Sequence, residues 1–379
     1  MSATTSHPID ELLRTRRLIV CVGPGGVGKT TSSAAMALRA ARMGRRALVL
    51  TIDPAKRLAD ALGLDGLDDE VRRVPGLDAL EPLPGVPAMG SLDAAMLDTK
   101  ASYDALLTRL TDGVSRDRIF ANRAYQAFSR TMARSHAYVA MERLLQVFEE
   151  ERWDLIVLDT PPTANALEFL AAPDRVQELV TNPAIRLLTG TGSIGARVLG
   201  IGNKVVLKAL GAVGGGRFIE ELGAFLREFS VVLGAFRDRA GDFQELLSSP
   251  ATGVILTTSA SQFSVREALA FLEVLRQRHL RIDAVVLNRM IPAFPDPPAA
   301  DAIASAVPGA EDPGAVAALL SSYRGIQIQG RRSLQAVESL ASAYPKIPVW
   351  ALPRREPPPN SLAELSQLAG QFIRVARGA

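Results

Sequence analysis

The chain has one cysteine, Cys21, in 379 residues. A lone cysteine excludes an intrachain disulfide and any metal site built on several thiolates. It lies in the apolar run Leu18–Val22, where a buried core thiol is the ordinary reading. Histidine is nearly as scarce: His7, His136 and His279 are scattered, which argues against a histidine-rich metal centre. Charge of one sign does not dominate, since 43 basic residues face 40 acidic ones. That balance gives no reason to expect a nucleic-acid partner. A run of about 20 apolar residues, the length of a membrane span, is also missing. Leu246–Val265 carries no charge, but it is rich in Ser and Thr and contains Pro250. The first residues, MSATTSHPID, lack the charged-then-apolar plan of a signal peptide. A cytoplasmic, soluble protein is the expectation. Its 47% hydrophobic content is enough for a sizeable core.

What is present is a series of short apolar runs of the kind that form buried parallel strands. They are Leu18–Val22, Ala47–Ile52, Leu155–Leu158, Val254–Thr257, Ala284–Leu287 and Val349–Leu352. Stretches of helical composition separate them, so the pattern predicts an α/β fold with a mostly parallel sheet. Ser32–Met43 reads as a helix stopped by Gly44. The alternation fails twice, over 92–151 and over 174–247, where the pattern is helical only. These two insertions are expected to pack together as a helical subdomain. The remainder, 15–91, 152–173 and 248–379, forms the core of what is otherwise one domain. Pro292–Pro313 and Pro353–Pro359 read as loops, and Ser361–Arg377 as a terminal helix.

The first strand runs into Gly23-Pro-Gly-Gly-Val-Gly-Lys-Thr30, which fits G-x-x-x-x-G-K-[ST] between a strand and a helix. Glycines at this spacing let backbone N–H groups turn around phosphate oxygens, and the helix N-terminus adds partial positive charge. Gly25, Gly26, Val27, Gly28, Lys29, Thr30 and Thr31 are therefore the candidate phosphate contacts. Lys29 would reach the β- and γ-phosphates and the Thr30 hydroxyl would ligate Mg²⁺. Asp159, ending Leu155–Leu158, stands where a P-loop protein holds Mg²⁺, although an apolar run ending in Asp is common in itself. Asp53, ending the strand after the P-loop helix, is placed either to orient water at the γ-phosphate or to cap the helix after Pro54. Asn203-Lys204-Val205-Val206 lacks the Asp of a guanine-reading element. Asn288, at the end of Ala284–Leu287, is better placed to meet a base.

Together these residues resemble the ArsA/Get family of P-loop ATPases, relatives of MinD and the nitrogenase iron protein. The similarity extends from about Arg17 to Leu368. It rests on the P-loop, on Leu50–Leu64 (similar to the family's first switch), on Asp159–Leu170 (similar to its second) and on Val286–Met290 with Pro348–Pro353 (similar to its adenine-binding region). The resemblance implies ATP and Mg²⁺ as ligands and a doubly wound sheet with a helical subdomain. It implies a dimer that closes on ATP and opens on hydrolysis. It makes Asp53 the residue that positions the attacking water, Lys29 its catalytic partner, and Asn288 and Pro353 contacts of the adenine.

One departure stands out. The family's loop usually reads G-K-G-G-x-G-K-T, and its first lysine reaches the partner's phosphates. Here that position is Pro24. The expectation is a homodimer of low turnover, or a heterodimer with a lysine-bearing paralogue. With one cysteine, neither the metalloid site of arsenite-pump members nor the zinc site of tail-anchored-targeting members is expected. The segment 179–219 holds Arg186, Arg197, Lys204, Lys208 and Arg217 without an acid. It reads either as a helix covering the subdomain core or as a surface for a hydrophobic client or an anionic membrane. A switch ATPase, a low-turnover regulatory subunit and a phosphotransferase are the functions compared; no arginine-rich lid supports the last.

Overall fold

The computed structural model describes residues 7–52, 57–97, 136–181, 234–235, 237–278, 280–307 and 312–375. Two compact units divide the chain. The first is Met1–Met96, Trp153–Thr163 and Pro250–Ala379; the second is Leu97–Arg152 and Ala164–Ser249.

The first unit is built on a nine-stranded sheet in the order β3-β4-β2-β5-β1-β6-β7-β8-β9. Its strands are β1 (Leu18–Val22), β2 (Arg46–Thr51), β3 (Arg72–Arg73), β4 (Ser91–Met96), β5 (Leu155–Asp159), β6 (Thr252–Ser259), β7 (Ala284–Met290), β8 (Val349–Pro353) and β9 (Ile373–Val375). The seven from β4 to β8 pair in parallel, and the edge strands β3 and β9 pair antiparallel. Strands buried on both faces need apolar side chains throughout, and β1 and β5 are buried at every position. This is the α/β P-loop architecture expected from the alternating pattern.

The helix α1 (Asp10–Thr15) precedes β1, and α2 (Lys29–Arg42) follows it. From Ser32 to Ala41 every residue of α2 is buried, which explains its run of small Ala and Ser side chains. The Arg39 guanidinium donates to both Asp10 carboxylate oxygens, at 2.6 and 3.0 Å, and ties α1 to α2.

Some elements differ from the sequence expectation. Helix was expected from Leu92, but Ser91–Met96 is a strand aligned with β2. Its alanines suit either state; what selects the strand is the open edge of β2 and burial of Leu92, Ala94 and Ala95. Asp93 is accommodated there because Trp153 Nε1 donates to it at 2.7 Å and Arg73 pairs with it at 2.9 Å. The expected terminal helix Ser361–Arg377 ends at Ala369; Gly370 follows, and Ile373–Val375 joins β8 as an edge strand. Part of the expected loop Pro292–Pro313 forms the short helix Ala300–Ala306.

The second unit contains helices His136–Glu149, most of Thr163–Leu170, Ala172–Thr181, and a helical stretch over 237–248. Phe169 packs edge-to-face on Phe243 with ring centroids 5.2 Å apart. Arg239 Nε donates to the buried Glu142 carboxylate at 2.9 Å and also pairs with Glu149. Of the segment 179–219, all but its first three residues lie outside the described residues.

Candidate functional site

β1 ends at Val22, and the chain turns through Gly23–Gly28 into α2. Only glycine meets the backbone demands at two of these positions. Gly23 has φ +143°, and a Cβ there would sit 2.0 Å from the Thr257 carbonyl oxygen on β6. Gly28 has φ +89° and serves as N-cap of α2 without any side-chain cap bond. The first turn of α2 points its amides back toward the loop, at the positive end of the helix. Gly23→Ala is expected to lower stability by at least about 2 kcal/mol, because the clash is with backbone that cannot swing away. Thermal denaturation checks it; an unchanged midpoint would refute the close approach.

Lys29 is only 7% exposed. Its Nζ donates to the carbonyls of Gly23 at 2.9 Å and Pro24 at 2.8 Å, so the cation is held inside the loop's own turn. The next residue, Thr30, donates from Oγ1 to Asp159 Oδ2 at 2.7 Å. Asp159 is fully buried at the carboxyl end of β5, beside β1. Thr51 Oγ1, at the end of β2, donates to the same oxygen at 3.1 Å. Sequence reasoning missed Thr51, although its place two residues before Asp53 was a usable signal. A hydroxyl and a carboxylate oxygen side by side are hard donors, and fit Mg²⁺ better than a thiophilic ion.

Cys21 lies under the loop with its thiol pushed up to about 12, mainly by burial. Its carbonyl accepts from Thr160 Oγ1 at 2.7 Å, which fixes the start of the chain leaving β5. Beyond it, Pro162 stands 3.7 Å from where a Cβ on Gly25 would lie.

A cavity of about 610 Å³ opens from Gly28 and Thr31 and runs along the carboxyl ends of β6, β7 and β8. That is a usual size for a small-molecule site, at the usual edge of an open α/β sheet. Asn288 and Pro353, which the resemblance implied as contacts of one ligand, both line it. So do Ser259, Arg289, Arg332 and Arg354, which sequence reasoning did not single out. These residues come from three separate strand ends and the helix Pro313–Ala343, so no local motif announces them. Arg289 has φ +56°, a left-handed conformation costing a non-glycine residue about 1–2 kcal/mol. It coincides with a register shift between β7 and β8. Asn288 is buried, with Nδ2 donating to the Val27 carbonyl at 2.9 Å.

The structure therefore brings Gly25–Thr31, Asp159, Asn288 and Pro353 to one edge of the sheet. Asp53 lies outside the described residues.

Residues 16–299 match the family model described as anion-transporting ATPase. The chain is 26% identical over 287 residues to a Chlorobaculum tepidum protein named as an arsenical pump-driving ATPase, covering 73% of this chain and 62% of that protein. It is 26% identical over 278 residues to the ATPase get3 of Aspergillus terreus, covering 73% and 74% respectively. A match of 25% over 295 residues to ATPase ARSA1 of Chlamydomonas reinhardtii covers 73% of this chain and 35% of that one. The chain spans 62% of the length of the first two arsenical-pump relatives it matches. With the family model covering most of the sequence and a P-loop set into the sheet that such a loop requires, the chain belongs to the ArsA family of anion-transporting ATPases.

Proposed function

We propose that this chain is a magnesium-dependent ATPase of the ArsA/Get type, a dimeric switch that couples ATP binding and hydrolysis to a client-protein or membrane event. The observation that carries the reading is the joined site: a lysine held inside a P-loop, Thr30 on Asp159, and a base-sized cavity continuing from Gly28. On binding, Lys29 exchanges two neutral carbonyl acceptors for anionic phosphate oxygens, a stronger class of hydrogen bond. The loop amides and the open N-terminus of α2 hold the remaining oxygens. Thr30 and Asp159 are the residues that would hold Mg²⁺. When bound, the ion would supply countercharge to the phosphates. Asp53 orients the attacking water, and Asn288 and Pro353 flank the adenine. The two helical insertions form the subdomain that answers to the nucleotide, and segment 179–219 offers a surface to a hydrophobic client or an anionic membrane. A cytoplasmic location fits this cycle. Among the described residues, no helix is long and apolar enough to cross a membrane.

Asp53→Asn is expected to slow phosphate release about a hundredfold while ATP binding persists. Steady-state phosphate release alongside calorimetric ATP binding checks this; an unchanged rate would remove Asp53 from the mechanism.

Pro24 favours a second reading. With no cation at that position, the chain serves as a low-turnover nucleotide-binding subunit, paired with a paralogue that bears the lysine.

A further inference from the structure

Asn288 stands at the end of β7 with both ends of its carboxamide committed. Nδ2 donates to the Val27 carbonyl at 2.9 Å, and Oδ1 accepts from the Arg289 backbone N–H at 2.8 Å. The side chain is 5% exposed, so neither bond is easily replaced by water. Its partner Val27 lies inside the P-loop, 261 positions away in sequence. The fit is close: a Cβ on Gly28 would stand 2.2 Å from Asn288 Nδ2, in the space the carboxamide occupies. The turn that presents Asn288 is held from the other side as well. Arg289 adopts φ +56°, Arg354 N–H donates to Met290 O at 3.0 Å, and Ile291 N–H donates to Ser333 Oγ at 3.2 Å.

The Val27 carbonyl and the Gly28 N–H belong to one planar trans peptide, so fixing the direction of one fixes the other. A carbonyl drawn toward Asn288 turns the Gly28 N–H the opposite way. We infer that Asn288 is a positioning residue for the phosphate loop: it sets the Val27–Gly28 peptide so that the Gly28 amide is ready for a phosphate oxygen. It thereby links the cavity proposed for the base to the loop proposed for the phosphates. Through Asn288, filling one alters the other. This inference rests on the nucleotide reading above and adds to Asn288 a role that does not require a base.

The discriminating probe is magnesium tripolyphosphate, which carries the phosphate chain and no base. Asn288→Ala is expected to weaken tripolyphosphate binding about tenfold, the consequence of leaving a buried carbonyl without its donor. ATP binding should weaken by at least the same factor. Binding is read by calorimetry on the full-length protein, with circular dichroism and the thermal midpoint recording that the fold is kept. Should Asn288→Ala not fold, Asn288→Leu keeps the shape without the donor and supports the same comparison. If ATP binding weakens while tripolyphosphate binding stays at the wild-type level, Asn288 touches the base alone and the positioning role is overturned. Unchanged binding of both ligands overturns it too, leaving the nucleotide reading intact. If wild-type protein binds neither ligand, the nucleotide reading itself falls, and this inference with it.

Discussion

Lys29→Met is expected to cut ATP turnover by about a thousandfold, the scale of losing one preorganised electrostatic donor at the reacting group. The reason lies in where the ammonium is kept. It is buried on the Gly23 and Pro24 carbonyls, within the loop that would wrap the phosphates. On ligand binding the ammonium would exchange those carbonyls for phosphate oxygens, a stronger class of hydrogen bond. Methionine keeps the length and apolar stem of the side chain, and α2 should remain packed. The loss is then one of charge and not of fold. Nucleotide-dependent stabilisation offers an independent readout. At a ligand concentration one hundred times Kd, binding stabilises a protein by about 2.7 kcal/mol. Wild type should show that rise in thermal midpoint with Mg-ATP, and Lys29→Met should lose most of it. Equal turnover in the two proteins would exclude Lys29 from the chemistry.

Pro24→Lys is expected to act in the opposite direction. A cation supplied across an interface to a phosphoryl-transfer site is worth roughly 10³–10⁵ in rate. If this chain pairs with itself and its slow step reflects the missing charge, the substitution should raise phosphate release by about a thousandfold. Pro24 contributes its carbonyl to Lys29 at 2.8 Å, and any residue supplies that carbonyl. What lysine adds is the charge; what it removes is the ring that fixes φ, a loss of about 0.4–1 kcal/mol of preorganisation. Pro24→Ala isolates the second effect and should leave turnover near the wild-type level. Mixing wild-type chain with a lysine-bearing paralogue should produce the same gain in trans, at a stoichiometry of one to one. Rapid hydrolysis by wild-type homodimer alone would show that another group replaces the lysine. No gain from Pro24→Lys would show that the position does not face a partner's phosphates.

The candidate site was legible to different depths. The P-loop was legible in the sequence because its spacing is local: Gly23, Gly26 and Gly28 take positive φ within one short turn, and Lys29 bonds carbonyls five and six residues away. Asp159 could be placed from the apolar strand that ends on it. That its Oδ2 accepts from Thr30 and Thr51 could not, since those bonds span 129 and 108 positions. Asn288 was singled out as a base contact, while its bond to Val27 was invisible, because nothing near either residue encodes a partner 261 positions distant. Arg332 carried no signal at all, and Arg289 only its place inside Val286–Met290. They become neighbours of the cavity only because β7 and the helix Pro313–Ala343 converge there.

The same division holds for the fold. By itself the sequence determined the parallel α/β class, since strands buried on both faces must be apolar at every position, as β1 and β5 are. It determined the strand–loop–helix unit at Gly23–Arg42, because periodicity and glycine placement are local properties. Tertiary structure alone decided the edges. Ser91–Met96 is a strand because β2 leaves an unpaired ladder beside it, and Ile373–Val375 because β8 does. It decided too which residues close the cavity. Propensity in a short alanine-rich segment is worth a few tenths of a kcal/mol per residue, and backbone ladders with buried side chains outweigh it.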